Sequence, residues 1–373
     1  MNSQIKKSFT VGGLCSGVGG IELGFMQAKF SIAWANDMDK NAMMTYKALI
    51  GKNHYIDQAA MLLEDITKSR NTSTQLIYVD VLAAGFPCQA FSVAGYRKGF
   101  NDDRGNVFFK IRDVIKFLKS NRKPPRALLL ENVKNFKGHD GGKTYDKVKE
   151  ELEQLGYSVY TKVLNTAELT TIPQNRERTF MVCFYGEKKW SNYQFDELKK
   201  SQLNDLSEKI KEKAKKHCPQ TYLYHENFLK IRPSKTKHFR ELLDSPNKVD
   251  DKYFITDRYS QLFQICQEEV HRRDTIYQYR RVYMRENKKA QCPTLTANMG
   301  MGGHNVPIVL INKKKDRYRK ITPEECFRFQ GYNNASKLPT NIADGQLYKQ
   351  AGNSVTVPLI KKIATNIKKS LEL

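Results

Sequence analysis

Short apolar runs alternate with amphipathic stretches through the first half of the chain, and this alternation limits the fold most strongly. Phe9-Thr10-Val11, Ser31-Ile32-Ala33-Trp34, Leu76-Ile77-Tyr78-Val79, Ala127-Leu128-Leu129-Leu130 and Phe180-Met181-Val182-Cys183-Phe184 read as buried strands. Between them, Asn41 to Leu49, Val107 to Lys119 and Tyr145 to Leu155 read as helices. Strands that are apolar on both faces need helices on both sides, which predicts an α/β fold with a doubly wound, mostly parallel sheet. After Gly186 the pattern changes. A Lys- and Glu-rich helix with a solvated face is expected from about Leu198 to His217. Tyrosines and arginines then interleave from Tyr277 to Tyr283, and the Gly-rich run Asn298 to His304 breaks regular structure. A helical pattern returns at Thr322, and Val357 to Ile367 reads as a closing amphipathic helix. The expected organisation is a large α/β domain whose first part spans 1–186, a smaller domain over 187–320, a hinge over 321–345 and the closing helix within 346–373.

Charge narrows the class of partner. The chain of 373 residues holds 63 Lys plus Arg against 39 Asp plus Glu, a net charge of +24. Between Glu187 and Lys320 stand 30 basic and 17 acidic residues, so 13 of the 24 excess charges fall there. A polyanion is the expected partner, and nucleic acid is favoured over a membrane surface because no basic helix carries a strong apolar face. No apolar run is long enough to span a bilayer, and Phe9 to Gly20 is too Gly-rich for a signal sequence. Seven scattered cysteines, odd in number and without a C-x-x-C pair, predict neither a disulfide framework nor a metal site. A cytoplasmic location is expected.

Ligands of open parallel sheets bind at the carboxyl ends of strands, so the residues following each strand are the candidates. Ser16-Gly17-Val18-Gly19-Gly20 follows the first, and Asp37 follows the second, twenty residues after Gly17. That is the usual spacing for a ribose-binding acid, although a turn plus a surface carboxylate gives the same string. A dinucleotide fingerprint needs Gly at position 22, where Glu22 stands, so a nucleoside without a pyrophosphate fits better than NAD. Gly85-Phe86-Pro87-Cys88-Gln89 sets a cysteine in a Gly-Pro turn facing the cleft. A lone cysteine is more often a small buried hydrophobe, but a thiolate near cations is a nucleophile at neutral pH. Glu131 in Glu131-Asn132-Val133 can protonate or hydrogen-bond a ring nitrogen, or merely cap a helix. Gln174-Asn175-Arg176-Glu177-Arg178 offers two guanidinium groups to a phosphate or a base carbonyl.

In this order, the motifs resemble the DNA cytosine carbon-5 methyltransferase family over nearly the whole chain. Arg104-Gly105-Asn106, Gln350-Ala351-Gly352-Asn353-Ser354-Val355, and Pro323-Glu324-Glu325-Cys326 with Gln330-Gly331-Tyr332 match further family blocks. The resemblance implies a Rossmann-like catalytic domain, a target-recognition domain over 187–320, and S-adenosyl-L-methionine as cofactor. It implies Cys88, Glu131, Arg176 and Arg178 as catalytic residues. Cofactor binding is expected from Ser16, Gly17, Val18, Gly19, Gly20, Asp37, Met38, Asp65, Ile66, Pro87, Asn353 and Ser354. DNA contacts are expected from Ser92, Arg104, Arg272, Arg273, Tyr279, Arg280, Arg281, Gly302, Gly303 and His304. Ser92 to Asp103 is expected to close over a flipped-out cytosine. Two departures sit in the cofactor loop: the family usually has Asp-Leu-Phe where this chain reads Gly13-Leu14-Cys15, so an acid and an aromatic contact near the cofactor are missing.

The implied activity is methylation of cytosine carbon 5 in a short double-stranded DNA sequence, by a monomer whose cognate restriction endonuclease, if it has one, acts separately. Three rivals differ in class. A transfer-RNA cytosine methyltransferase would tend to carry Pro-Pro-Cys in place of Phe86-Pro87-Cys88. An inactive DNA-binding protein would not need the full set Cys88, Glu131, Arg176 and Arg178. A nicotinamide oxidoreductase is disfavoured by Glu22 and by the charge.

Overall fold

The structure, a computed structural model, describes residues 8–51, 60–63, 77–86, 106–193, 208–287, 289–300 and 305–373. Strands β1 (Thr10–Leu14), β2 (Ser31–Asp37), β3 (Ala60–Leu63), β4 (Val81–Gly85), β5 (Ala127–Val133), β6 (Tyr157–Asn165) and β8 (Glu177–Tyr185) form one sheet. Their order is β3-β2-β1-β4-β5-β8-β6, and the two-residue strand β7 (Gln174–Asn175) lies outside it. The first five strands pair in parallel, and β8 runs antiparallel to both β5 and β6.

Alternate side chains of the central strands enter two separate cores, as a sheet buried on both faces requires. Ala83, Leu129 and Val182 point to one side, where α1 (Gly20–Gln27) and α2 (Lys40–Ile50) pack; Leu82, Leu128 and Met181 point to the other, against α3 (Asn106–Asn121) and α4 (Lys143–Gln154). The doubly wound, mostly parallel α/β sheet expected from the sequence is present.

Two details differ from expectation. Ile77 to Val79 is not a strand; β4 begins later, at Val81. Asp80 intervenes, accepting the backbone N–H (2.8 Å) and hydroxyl (3.0 Å) of Thr10, while Ala83 and Ala84 gave the true strand a weak apolar signal. Strand β6 has no continuous apolar run in the sequence, because Ser158 and Thr161 interrupt its apolar residues. Both are buried and partnered, Ser158 by the Thr221 hydroxyl at 3.0 Å and Thr161 by the Tyr145 hydroxyl at 3.0 Å.

A second, antiparallel sheet of order β11-β10-β13-β14-β9 comes from β9 (Phe254–Ile255), β10 (Ile276–Tyr279), β11 (Met284–Asn287), β13 (Pro307–Asn312) and β14 (Arg317–Lys320). It has its own small core of Ile255, Cys266, Val270, Tyr277, Met284, Ile308, Leu310 and Tyr318. The Lys- and Glu-rich helix is formed over Glu208–His217, with Ala214 as its buried residue. The next helix, α5 (Pro219–Leu229), packs on the large sheet, where Tyr224 meets Tyr160 edge-on at 5.4 Å.

Contacts outside the two sheets join the regions that carry them. Strand β12 (Cys292–Pro293) pairs in parallel with β7. Arg319 on β14 and Glu325 on α6 (Pro323–Phe329) form a fully buried pair, with nitrogen–oxygen distances of 2.7 and 2.8 Å. After α7 (Asp344–Asn353), the closing helix α8 (Val357–Leu371) buries Ile360, Ile363, Ala364 and Ile367 and packs on α1. Among the described residues no helix is long and apolar enough to cross a membrane.

Candidate active site

A cavity of about 400 Å³ opens at the carboxyl ends of β1, β2, β4 and β5. Its first wall is the loop after β1. Gly17 (φ 55°) and Gly19 (φ 81°) are left-handed there, and a Cβ on Gly19 would lie 1.9 Å from Ile50, so the turn requires glycine. Asp37, the last residue of β2, anchors this loop. Its Oδ2 accepts the Gly17 N–H at 2.7 Å and its Oδ1 accepts the Asp39 N–H at 2.9 Å. Asp39 in turn caps α2 by accepting from Asn41 and Ala42. Each Asp37 oxygen keeps a second acceptor site for a ligand.

Of the expected cofactor residues, Ser16, Gly17, Val18, Gly20, Asp37, Asn353 and Ser354 line this cavity. Gly19 supports the turn from behind, and Met38 is exposed beside it without lining the cavity. Lys349 and Gln350 are wall residues that sequence reasoning missed. Gln350 stood within a motif already singled out; nothing marked Lys349, whose Nζ lies 3.9 Å from Asp39.

Glu131 and Arg178 form the opposite wall. Glu131 sits within β5, which runs on to Val133. Because β8 is antiparallel, its start lies at the same sheet edge, with Arg178 across from Val133. Arg178 Nε lies 3.1 Å from Glu131 Oε1, and its Nη1 donates to the Glu177 carbonyl at 2.8 Å. Burial pushes the Glu131 carboxyl above the usual carboxylate range, and the Arg178 guanidinium, with Arg176 behind it, only partly offsets this. The chain leaving β4 is pinned beside this pair. Phe86 N–H donates to the Glu131 carbonyl at 3.3 Å, and Asn132 Nδ2 donates to the Phe86 carbonyl at 2.9 Å.

Arg176, expected to act beside Arg178, is held differently. Its Nη1 donates to the Leu295 carbonyl at 2.8 Å, and its Nη2 donates to the Gly352 carbonyl at 3.2 Å and to that of Ser354. Full burial draws the guanidinium down to about 9. It joins β8, the segment after β12 and the end of α7 as a strut does, and it also lines the cavity beside Arg178.

The described residues expected to contact DNA do not line the cavity. Arg272 pairs with Asp274 at 2.7 Å and Glu286 at 3.3 Å, and the Arg273 carbonyl accepts from Arg240. Tyr279, Arg280 and Arg281 shape the turn between β10 and β11. Arg280 N–H donates to the Tyr283 carbonyl at 2.9 Å, Arg281 is left-handed at φ 71°, and the Tyr279 hydroxyl donates to the Arg281 carbonyl. Asp65, Ile66, Pro87, Cys88, Ser92, Arg104, Gly302, Gly303 and His304, with the Ser92 to Asp103 segment, lie outside the described residues.

A family model of the C-5 cytosine-specific DNA methylases matches residues 9–369. The chain belongs to this family. The methylase is 41% identical over 364 residues to the Type II methyltransferase M.Bsp6I of Bacillus sp. (strain RFL6), covering 97% of this chain and 99% of that one. It is 31% identical over 367 residues to the Type II methyltransferase M.HhaI of Haemophilus parahaemolyticus, covering 96% and 94%. The methylase is therefore a DNA (cytosine-5-)-methyltransferase. Among solved structures, the Dnmt2 methyltransferase of S. pombe matches with a TM-score of 0.66 and 17% identity over 98% of this chain and 100% of its own. The Entamoeba histolytica methyltransferase EhMeth matches with a TM-score of 0.68 and 16% identity over 98% of this chain and 99% of its own. At these identities the likeness concerns the fold.

Proposed function

We propose that the methylase uses S-adenosyl-L-methionine to methylate carbon 5 of a cytosine flipped out of a specific short double-stranded DNA sequence, through a covalent adduct with Cys88. The observation that carries this reading is the meeting of the glycine loop and the Glu131–Arg178 pair around one cavity. A nucleoside with a cationic amino-acid tail suits its donor set. Asp37 has acceptor capacity to spare for ribose hydroxyls, and the buried Ser16 Oγ and Gln350 Nε2 have no hydrogen-bond partner among the described residues. When bound, this cofactor supplies an electrophilic methyl group.

Carbon 5 of cytosine is a weak nucleophile, so the chain's residues must activate it. The Cys88 thiolate adds to carbon 6, forming a C–S bond, while the Glu131 carboxyl gives its proton to ring nitrogen 3. The electron pair released onto carbon 5 takes up the methyl group. Loss of the carbon 5 proton to water then expels the thiolate, and ring nitrogen 3 returns its proton to Glu131, which restores both the neutral ring and the acid. Arg178 holds the base carbonyl and the Glu131 carboxylate together, and Arg176 positions its strand. Flipping the base costs a few kcal/mol, met by contacts in the cavity. The basic stretch 187–320 serves as target-recognition domain, with 321–345 as hinge and 346–373 returning to the catalytic domain. The enzyme acts as a monomer in the cytoplasm. Its likeness to Type II methyltransferases supports a cognate restriction endonuclease acting separately.

The test is trapping on DNA containing 5-fluorocytosine, where fluorine blocks the final elimination. Wild type incubated with S-adenosylmethionine should form a denaturation-resistant complex, and Cys88→Ser should not. Equal trapping by both proteins, or methylation that persists in Cys88→Ser, overturns the mechanism.

A further inference from the structure

Gly13 in β1 has no space for a side chain. A Cβ there would lie 1.8 Å from Glu22 Oε1 and 2.6 Å from Ser16 Oγ. Its backbone is not left-handed, so the need for glycine comes from the neighbouring carboxylate. Glu22, in the first turn of α1, folds back and fills the volume that a side chain on position 13 would take.

This carboxylate is poorly balanced. Glu22 is 1% exposed, and its Oε2 has no hydrogen-bond partner among the described residues. The Ser16 Oγ beside it and the Tyr46 hydroxyl are unpartnered there too. The groups facing Glu22 are Ser16, Tyr46, Tyr332 and a second acid, Asp37, and among the described residues no lysine or arginine pairs with it. A buried carboxylate with one oxygen unpartnered is costly, and a cation is the partner that would offset the cost. Ser16 lines the cavity and Glu22 lies directly behind it, outside the lining, so Ser16 is the point at which a ligand would approach this cluster.

We propose that Glu22 and Ser16 receive the ammonium group of the cofactor's amino-acid moiety, with α1 supplying the acid that is absent from β1 at Gly13. This rests on S-adenosylmethionine being the cofactor. Burial, with Asp37 adding to it and Ser16 opposing it, raises the Glu22 carboxyl to about 7. Taking up an ammonium group near pH 6 would therefore release a proton.

The experiment is calorimetric titration of the full chain with S-adenosylhomocysteine and with its analogue lacking the amine. A charge-assisted hydrogen bond corresponds to about 10- to 100-fold in affinity. Wild type should prefer the amine-bearing ligand by that factor. Glu22→Gln should lose most of this preference while binding the analogue as wild type does. Gly13→Asp combined with Glu22→Ala returns an acid to β1 and should restore much of it. Wild type should also release protons at pH 6, read from buffers of different ionisation enthalpy, and Glu22→Gln should not. If Glu22→Gln fails to fold, Ser16→Ala should show a smaller loss confined to the amine-bearing ligand. Equal weakening of both ligands, or unchanged preference, overturns the proposal. Wild type binding neither ligand would overturn the cofactor reading itself.

Discussion

Arg178 reaches Glu131 across two antiparallel strands, Nε to Oε1 at 3.1 Å, with both side chains largely withdrawn from water. The contact exists because β8 enters the sheet against the direction of its parallel neighbours. A strand running the other way would put Arg178 at the far edge. The direction of β8 thus brings a cation to a carboxyl that burial pushes up, and the cation draws it only partway back.

The pH profile of the methyl-transfer step should report this balance. Glu131 must carry a proton to give to the base, so the rate should fall as pH rises through its raised pKa. Because Arg178 holds that pKa down against burial, Arg178→Ala should move the falling limb to higher pH as well as lowering the rate. Glu131→Gln should cost about 100- to 10,000-fold in single-turnover rate. A limb that stays put in Arg178→Ala, or moves to lower pH, contradicts the assignment.

Arg176 and Arg178 should separate in stability measurements. Arg176→Ala leaves three buried carbonyls without their donor and should cost about 1–3 kcal/mol or more in urea unfolding. Arg178→Ala should change stability less while slowing single-turnover methylation at least as much. The opposite ranking in the urea experiment would contradict the strut geometry.

The pair Arg319–Glu325 should behave as a buried ion pair. Glu325→Gln is expected to lower unfolding stability by about 3–5 kcal/mol, since it strands a charged guanidinium in the interior. Replacing both partners, Arg319→Met with Glu325→Leu, should cost less than either single change. A double variant no better than the worse single one would show that the pair's other bonds dominate, including Glu325 Oε1 to Asp244 N–H at 2.7 Å.

DNA binding should weaken steeply between roughly 50 and 200 mM salt as counterions return to the phosphates. If the β10–β11 turn rests on the DNA backbone, Arg280→Ala or Arg281→Ala should each reduce the slope of log K against log salt by about 1. Fluorescence anisotropy on a fixed duplex measures this. An unchanged slope with altered sequence preference would move these arginines from phosphates to base edges.

The sequence was most legible where one residue type has one physical use. Continuous apolar runs marked β2 and β5, and the glycine loop with Asp37 marked a ligand wall; the sheet brings those together. Legibility failed where polar residues are satisfied by distant partners. Thr161 looks like a loop residue until Tyr145 is seen to donate to it. Nothing in the sequence around Arg176 announces its three carbonyl acceptors, which are set by tertiary structure. Glu22 counted only as a mismatch to a dinucleotide motif, since its relation to Gly13 depends on how α1 lies over β1.

The cavity draws its walls from opposite ends of the chain, and Thr45 donates to Gln350 across 305 positions. At a synthesis rate of about 5–20 residues per second, that gap takes roughly 15–60 s to translate. Throughout that interval a nascent polypeptide has only the walls built from its earlier residues. Any fragment released before Lys349 is added therefore carries an open-sided cavity.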